Sequence, residues 1–128
     1  MAKILVIEDN EANMKLATLL LNRVGHEVLC AVDAETGLTL ARAEQPDLIM
    51  MDIQLPGMDG LAATALLKQD STTSAIPVIA LTAMVMKEDR EKAKVAGCDA
   101  CIAKPYRYQE LYAAIDSLLV KGVPQAVC

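Results

Sequence analysis

The stretch Leu48-Ile-Met-Met-Asp-Ile-Gln-Leu-Pro-Gly57 determines how the rest of the chain is interpreted. Its first four residues are apolar and run directly into Asp52, after which Pro56 and Gly57 favour a turn. A short apolar run bounded by turn residues is typical of a strand that is buried on both faces. Asp52 is therefore predicted at the carboxyl end of a central strand, where a carboxylate is costly unless a cation meets it. The same position would also suit a residue that only caps a turn.

Similar apolar runs alternate with segments of helical periodicity along the chain. This alternation predicts an α/β fold in which helices cover both faces of a parallel sheet. In the flavodoxin-like (βα)5 arrangement, with strand order 2-1-3-4-5, the ends of the first and third strands flank the point where ligands bind. The predicted strands are Lys3–Ile7, Val28–Val32, Leu48–Asp52, Val78–Thr82 and Ala100–Ala103, and the predicted helices are Asn10–Val24, Ala34–Ala41, Leu61–Lys68, Lys87–Ala96 and Leu111–Leu119.

The length and composition indicate a single acidic domain. The chain has 128 residues and a formal net charge of -5 without a basic run, so direct nucleic-acid binding is not expected. The apolar run after Lys3 is too short for a signal peptide or a membrane span, so we expect a cytoplasmic protein. We predict one domain over residues 1–120 and a short, loose tail over residues 121–128.

Cys98 and Cys101 have the spacing of a CxxC motif. A redox pair of this type needs its first cysteine at the amino terminus of a helix, where the thiolate is stabilised. Here the pair follows Gly97 and enters a predicted strand, so redox chemistry is not favoured. A zinc site would need two further ligands at matching spacing, and the chain offers only His26 and two distant cysteines.

Polar side chains lie where four of the predicted strands end: Glu8 and Asp9, Asp52, Thr82, and Lys104. Because ligands of such a fold bind outside the carboxyl ends of its strands, these residues are the informative ones. Three carboxylates at one sheet edge repel each other unless a cation lies among them, and Mg2+ accepts carboxylate ligands. A carboxylate nucleophile, a metal, a lysine and a hydroxyl together make a phosphoryl-transfer site.

Each of these residues also has a simpler interpretation when taken alone. Glu8 and Asp9 could cap the first helix, and Thr82 could cap the turn that follows it. Lys104 could be an ordinary exposed lysine. Only the occurrence of all of them at the ends of strands favours the phosphoryl site.

Four motifs carry a resemblance to a known family. They are Ile7-Glu-Asp-Asn10, Met51-Asp52 followed by Leu55-Pro-Gly-Met-Asp-Gly60, Leu81-Thr-Ala83, and Ala103-Lys-Pro105. With this joint pattern the chain resembles, to about Val120, the CheY-like receiver domain of two-component response regulators. It looks most like stand-alone regulators of the DivK or CheY kind and like the receivers of hybrid histidine kinases.

The resemblance implies a role for each residue that would meet the phosphoryl group. Asp52 would be the phosphoacceptor, and its donor would be a histidine kinase or a histidine phosphotransfer protein. Thr82 would hydrogen-bond the phosphoryl group, Lys104 would pair with it, and the Lys104–Pro105 peptide bond would be cis. The protein would not be an enzyme, apart from assisting its own phosphorylation and autodephosphorylation.

The resemblance also implies a magnesium site beside the phosphoacceptor. Asp9 and Asp52 would bind Mg2+ directly, and Glu8 would act largely through water. The backbone carbonyl of Gln54 would complete the set of protein ligands.

The output surface implied by the resemblance is the fourth helix, the last strand and the last helix, and it would include Lys87–Ala96 and Tyr106–Leu119. Because no effector domain follows residue 128, we expect output through protein contacts. In the family, phosphorylation moves the strand-four threonine, and an aromatic residue three positions before the lysine turns inward. That position is Cys101 here, so the coupled movement cannot take its usual form. We hypothesise that Tyr106 carries part of the surface signal.

Four alternatives accompany the receiver interpretation. A flavodoxin-type FMN carrier would need a phosphate-binding loop after the first strand, where Glu8-Asp-Asn-Glu11 is acidic. An aspartate-nucleophile phosphatase would need a second acid at Gln54. A receiver-like docking module that phosphorylation does not switch, and the excised receiver of a hybrid histidine kinase, both remain open.

Overall fold

A five-stranded parallel sheet with strand order β2-β1-β3-β4-β5 forms the centre of the molecule. The computed structural model describes residues 2–55, 57–83 and 87–121, and Pro56 and the predicted tail from residue 122 lie outside these ranges. This is the flavodoxin-like order that the sequence predicts. The elements are β1 (Lys3–Ile7), α1 (Glu11–Arg23), β2 (Glu27–Ala31), α2 (Ala34–Glu44), β3 (Leu48–Asp52), α3 (Gly60–Gln69), β4 (Val78–Thr82), α4 (Lys87–Ala96), β5 (Ala100–Ala103) and α5 (Tyr108–Lys121).

Helices cover the sheet on both faces, as the nearly continuous apolar strands require. Alternate residues of each strand point to opposite faces, so Val6 and Met50 pack with α1 and α5, whereas Ile7 and Met51 pack with α2 and α3. All five residues of β3 are buried, which confirms that the stretch ending at Asp52 is the central strand.

The register of the strands brings their carboxyl ends to one edge of the sheet. Ile7 of β1 pairs with Met51 of β3, so Glu8 and Asp52 follow on neighbouring strands. Asp52 pairs with Leu81 of β4, and Thr82 pairs with Ala103 of β5, the residue before Lys104. Four strands therefore deliver the predicted polar side chains to one place.

Short polar side chains set where three of the helices begin. Asn10, Asp33 and Asp59 each accept a hydrogen bond from the backbone N–H three residues further on, at 3.0, 2.7 and 2.8 Å. The apolar spacing placed the third helix at Leu61 and the last at Leu111, whereas α3 begins at Gly60 and α5 at Tyr108. Helix α5 also extends to Lys121, the first residue of the predicted tail.

No helix within the described ranges is long and apolar enough to cross a membrane. The cytoplasmic location expected from the sequence stays a prediction.

His26 fixes the start of β1, and its titration is expected to affect stability. The backbone N–H of Ala2 donates to Nδ1 of His26 at 3.1 Å, which requires that nitrogen to be unprotonated. Burial lowers the pKa of His26 below its usual 6.5, so the unfolded chain binds more protons than the folded one below that pH. The free energy of unfolding should therefore fall as the pH drops below 6.5.

Urea unfolding above and below that pH, with His26→Gln as the control that cannot titrate, checks this prediction. His26 is the only histidine, so one imidazole signal in the proton NMR spectrum reports its pKa directly. A midpoint above 6.5 would contradict the prediction.

Candidate functional site

Three carboxylates meet at the carboxyl ends of β1 and β3. Glu8 and Asp52 are almost completely buried, with 2% and 4% of their surfaces exposed, whereas Asp9 is exposed. One oxygen from each carboxylate lies within 4.8 Å of the other two. Oxygen ligands at this separation suit a hard divalent cation, and the exposed Asp9 leaves it a route from solvent.

Lys104 reaches across the end of the sheet and pairs with both buried acids. Its Nζ lies 2.7 Å from Oε1 of Glu8 and 3.1 Å from Oδ2 of Asp52. Its backbone N–H donates to the carbonyl of Thr82 at 2.7 Å, which fixes where the lysine leaves β5. Only 18% of the Lys104 side chain is exposed, so this residue belongs to the site and is not an ordinary surface lysine.

Burial makes the charge of this group of residues costly. It raises the pKa of Glu8, a hydrogen bond with Asp52 raises it further, and Lys104 only partly offsets the increase. Burial alone would lower the pKa of Lys104, but the bonds to Glu8 and Asp52 outweigh it and raise that pKa. The lysine therefore stays charged, and a further cation would reduce the cost of ionising the acids.

Asp52 both caps a turn and faces a cation, which are the two roles that the sequence allowed. Its Oδ1 accepts a hydrogen bond from the backbone N–H of Gln54 at 3.0 Å, as a turn-capping residue would. Its Oδ2 faces Lys104 at 3.1 Å, as a site residue would. One oxygen thus fixes the side chain while the other remains beside the cation.

The first helix does not need the acids to cap it. Asn10 caps α1 through the N–H of Asn13, while its own N–H donates to Oε2 of Glu8 at 3.2 Å. Sequence reasoning missed the role of Asn10, although an asparagine directly before a helical pattern is a usual cap signal.

Thr82 and Gln54 lie where the sequence predicts them. Thr82 is buried at the end of β4, with 5% of its surface exposed, beside the strand that carries Asp52. Gln54 lies in the loop after β3 with its side chain exposed, which leaves its backbone as the part nearest the acids. The Lys104–Pro105 peptide bond is cis, as the resemblance implies.

Gly60 holds the loop after β3 against Asp52, and sequence reasoning gave it no such role. A Cβ atom there would collide with the carbonyl oxygen of Asp52 and would lie 2.7 Å from Cα of Ile53. The N–H of Gly60 donates to the carbonyl of Ile53 at 2.9 Å. Helix α3 can begin this close to the site only because residue 60 has no side chain.

The two cysteines of the CxxC motif are not bonded to each other. Cys98 precedes β5 and is a free, buried thiol, and Cys101 lies within β5. Burial raises the pKa of Cys98 to about 11, which suppresses its thiolate.

A doubly wound α/β fold with buried acids, a lysine and a hydroxyl at its switch point defines a phosphate-handling class of protein. The family model of the response regulator receiver domain matches residues 4–116, and the chain belongs to this family. The match with this family, together with the acidic first loop, removes the flavin-carrier alternative.

Comparison with known relatives shows which receiver domains this chain is similar to. The chain is 44% identical over 116 residues to the polar-differentiation response regulator DivK of Brucella anthropi, a match that covers 91% of this chain and 94% of DivK. The receiver domain of the sensor histidine kinase PA1611 from Pseudomonas aeruginosa, solved with magnesium in its active-site cleft, matches with a TM-score of 0.88 and 31% identity. That comparison covers 94% of this chain and 98% of the other.

The crystal structure of a putative response regulator from Chloroflexus aurantiacus matches with a TM-score of 0.90 and 28% identity. This comparison also covers 94% of this chain and 98% of the other. The chain is thus a DivK-like receiver domain of a two-component system, and its family signals through phosphorylation.

Proposed function

We propose that Asp52 accepts a phosphoryl group from the phosphohistidine of a histidine kinase or a histidine phosphotransfer protein. The observation that carries this assignment is the position of Asp52 Oδ2, buried at the end of β3 and 3.1 Å from the lysine ammonium. The two acids beside Asp52 are less suited to be the phosphoacceptor. Glu8 holds the shorter bond to Lys104, and Asp9 is exposed.

The chemical step needs little from the protein beyond positioning and charge. A carboxylate oxygen of Asp52 attacks the phosphorus in line, the phosphorus–nitrogen bond breaks, and the electron pair leaves with the imidazole, which takes a proton from solvent. The product is an acyl phosphate on Asp52. Lys104 neutralises charge on the transferring group, and the Thr82 hydroxyl donates to one of its oxygens.

The residues present fit Mg2+ as the resident cation. Glu8, Asp9 and Asp52 offer carboxylate oxygens within 4.8 Å of one another, and the backbone carbonyl of Gln54 would be a fourth ligand. Bound there, Mg2+ supplies positive charge to the phosphoryl oxygens and reduces the repulsion among the acids.

We further propose that the chain catalyses nothing beyond its own phosphorylation and dephosphorylation, and that its output is a protein contact. Helix α4, β5 and α5 form the proposed contact surface. Lys87, Arg90 and Lys94 on α4 are all exposed there, so a partner would meet a strongly charged helix.

Mg2+ is expected to stabilise the folded protein. Binding to the folded state alone raises the free energy of unfolding by about 2.7 kcal/mol at a hundredfold excess over Kd. The midpoint of thermal unfolding should therefore rise with Mg2+ concentration in the wild type and much less in Asp9→Asn. Glu27→Gln removes an exposed carboxylate at the far edge of the sheet and is the matched control. An equal rise in Asp9→Asn and the wild type would contradict the assignment of Asp9.

Chemical trapping tests which residue is phosphorylated. The protein is incubated with Mg2+ and phosphoramidate, a small donor with a phosphorus–nitrogen bond, and then reduced with borohydride, which converts an acyl phosphate on aspartate into homoserine. Peptide mass mapping should find homoserine at position 52. Homoserine at position 9 instead, or a phosphoryl group that resists reduction, would overturn the proposal.

A further inference from the structure

Cys101 is one half of a disulfide bond, and the proposed phosphoryl chemistry gives that bond no task. Disulfides are rare in a reducing compartment such as the one expected for this chain, and those that form there are usually transient and redox-sensing. The chain has four cysteines, and Cys30 and Cys98 are free thiols. Cys128, which follows α5 beyond the described ranges, is the cysteine that remains as a partner within the chain.

The fold also disfavours the other two cysteines as partners of Cys101. Cys30 lies in β2 and Cys101 in β5, which form opposite edges of the sheet with three strands between them. At about 4.8 Å between neighbouring strands their backbones are about 19 Å apart, whereas a disulfide joins Cα atoms that are less than about 7 Å apart. The thiol of Cys98 is buried beside the hydroxyl of Thr64 at 3.9 Å, and burial suppresses the thiolate that exchange requires.

Cys101 lies in the middle of the proposed contact surface. It is half-buried in β5, an edge strand of the sheet that pairs only with β4. Its side chain packs against the apolar layer that includes Ala93 of α4, whereas α5 covers the other face of the sheet. A segment that leaves α5 and reaches the sulfur of Cys101 therefore has its shortest route around the open edge of β5.

The chain after α5 is long enough for this route. Helix α5 has 14 residues and is about 21 Å long, so it leads from the carboxyl end of β5 back past this four-residue strand. Seven residues follow Lys121, and when extended they span about 23 Å. Their sequence, Gly122-Val-Pro-Gln-Ala-Val-Cys128, has no charged side chain, so covering a strand edge with it would bury no charge.

We propose that Cys101 and Cys128 form a reversible disulfide that holds residues 122–128 across β5 and blocks the contact surface of α4, β5 and α5. Glutathione disulfide is the oxidant: one cysteine thiolate attacks it and releases a glutathione thiolate, and the second cysteine then displaces the other glutathione. The two protein thiols lose two electrons and two protons, and two molecules of reduced glutathione form. Reduction reverses both steps. The blocking effect rests on the proposed contact surface, whereas the bond itself does not.

Peptide mass mapping tests the bond. The full chain is equilibrated at several ratios of glutathione to glutathione disulfide, and its free thiols are then blocked with N-ethylmaleimide. A linked pair of peptides that contain Cys101 and Cys128 is expected, and it should disappear at high glutathione. Cys30→Ser should keep the link, and Cys128→Ser should lose it. Blocked thiols at both positions under oxidising conditions, or a link from Cys101 to Cys30, would overturn the proposal.

Amide hydrogen exchange of the same samples tests whether the bond covers the surface. Exchange in β5 and α4 is expected to be severalfold slower in the oxidised wild type than in the reduced one, while β2 at the far edge should not change. The reduced wild type and Cys128→Ser should exchange alike. A linked protein whose β5 and α4 exchange as fast as in the reduced form would overturn the blocking. No phosphodonor enters either measurement, so failure here leaves the proposed phosphorylation of Asp52 standing.

Discussion

Lys104→Met is expected to lower the free energy of unfolding by about 3 kcal/mol at neutral pH without Mg2+, because it leaves buried acids without their cation. Glu8 and Asp52 both lose a partner, at 2.7 and 3.1 Å, and the hydrocarbon of the methionine cannot replace either contact. Adding Mg2+ should restore much of the loss, since the metal supplies positive charge to the same carboxylates. Urea unfolding with and without Mg2+ measures both effects.

Lys68→Met is the matched control for this prediction. Lys68 forms a comparably buried ion pair with Asp99 at 3.0 Å, and the two side chains are 22% and 23% exposed. Its loss should also destabilise the fold, because the ammonium additionally donates to the carbonyl of Ile76. Mg2+ should not rescue that variant. Equal rescue of both variants would show that Mg2+ acts elsewhere, and a Lys104→Met protein as stable as the wild type would contradict the assigned pairing.

Gly60→Ala is expected to damage stability and phosphorylation together. The added methyl group would meet backbone atoms of Asp52 and Ile53, which cannot rotate away as a side chain can. Overpacking of this kind costs about 1–3 kcal/mol, which exceeds the gain from replacing glycine by alanine in a helix. The loop must also shift at the phosphoacceptor, so phosphorylation by phosphoramidate should slow by at least tenfold, or about 1.4 kcal/mol in the barrier.

Gly97→Ala is a control that separates the two effects expected of Gly60→Ala, the loss of stability and the slower phosphorylation. Gly97 has a φ of +107° and a Cβ there would press on Lys68, so alanine is strained at this position too. The turn lies before β5, away from the carboxyl edge of the sheet. This variant should lose stability but keep its rate of phosphorylation. If Gly60→Ala keeps its rate as well, the contact with Asp52 does not position the phosphoacceptor.

The sequence predicts the ends of the strands well because polar residues interrupt apolar runs there. The bounds predicted for β1, β3, β4 and β5 agree with the structure, and with them the positions of Glu8 and Asp9. The second strand is Glu27–Ala31, one residue earlier at each end than the predicted Val28–Val32. Helix starts were less well placed, because periodicity marks only the buried face. The hydrogen bond from Ala62 N–H to Asp59, which begins α3, joins two exposed residues.

The contacts between side chains within the site could not be predicted from the sequence. Nothing in the spacing of Glu8 and Lys104 shows that they meet at 2.7 Å, since that contact depends on strand register and on how the chain leaves β5. The exposure of Asp9 beside two buried acids was not predictable for the same reason. The face on which Tyr106 packs depends on the turn after Pro105, and no periodic pattern covers that turn.

Intact mass spectrometry tests most directly whether Asp52 is a magnesium-dependent phosphoacceptor. Wild type and Asp52→Asn are incubated with phosphoramidate, each with Mg2+ and with EDTA, and weighed without reduction. We expect one added phosphoryl group on the wild type with Mg2+, far less with EDTA, and none on Asp52→Asn. An unmodified wild type, also in the presence of candidate histidine kinases, would contradict the account and favour a receiver-like docking module, and an adduct that survives in Asp52→Asn would place the acceptor elsewhere.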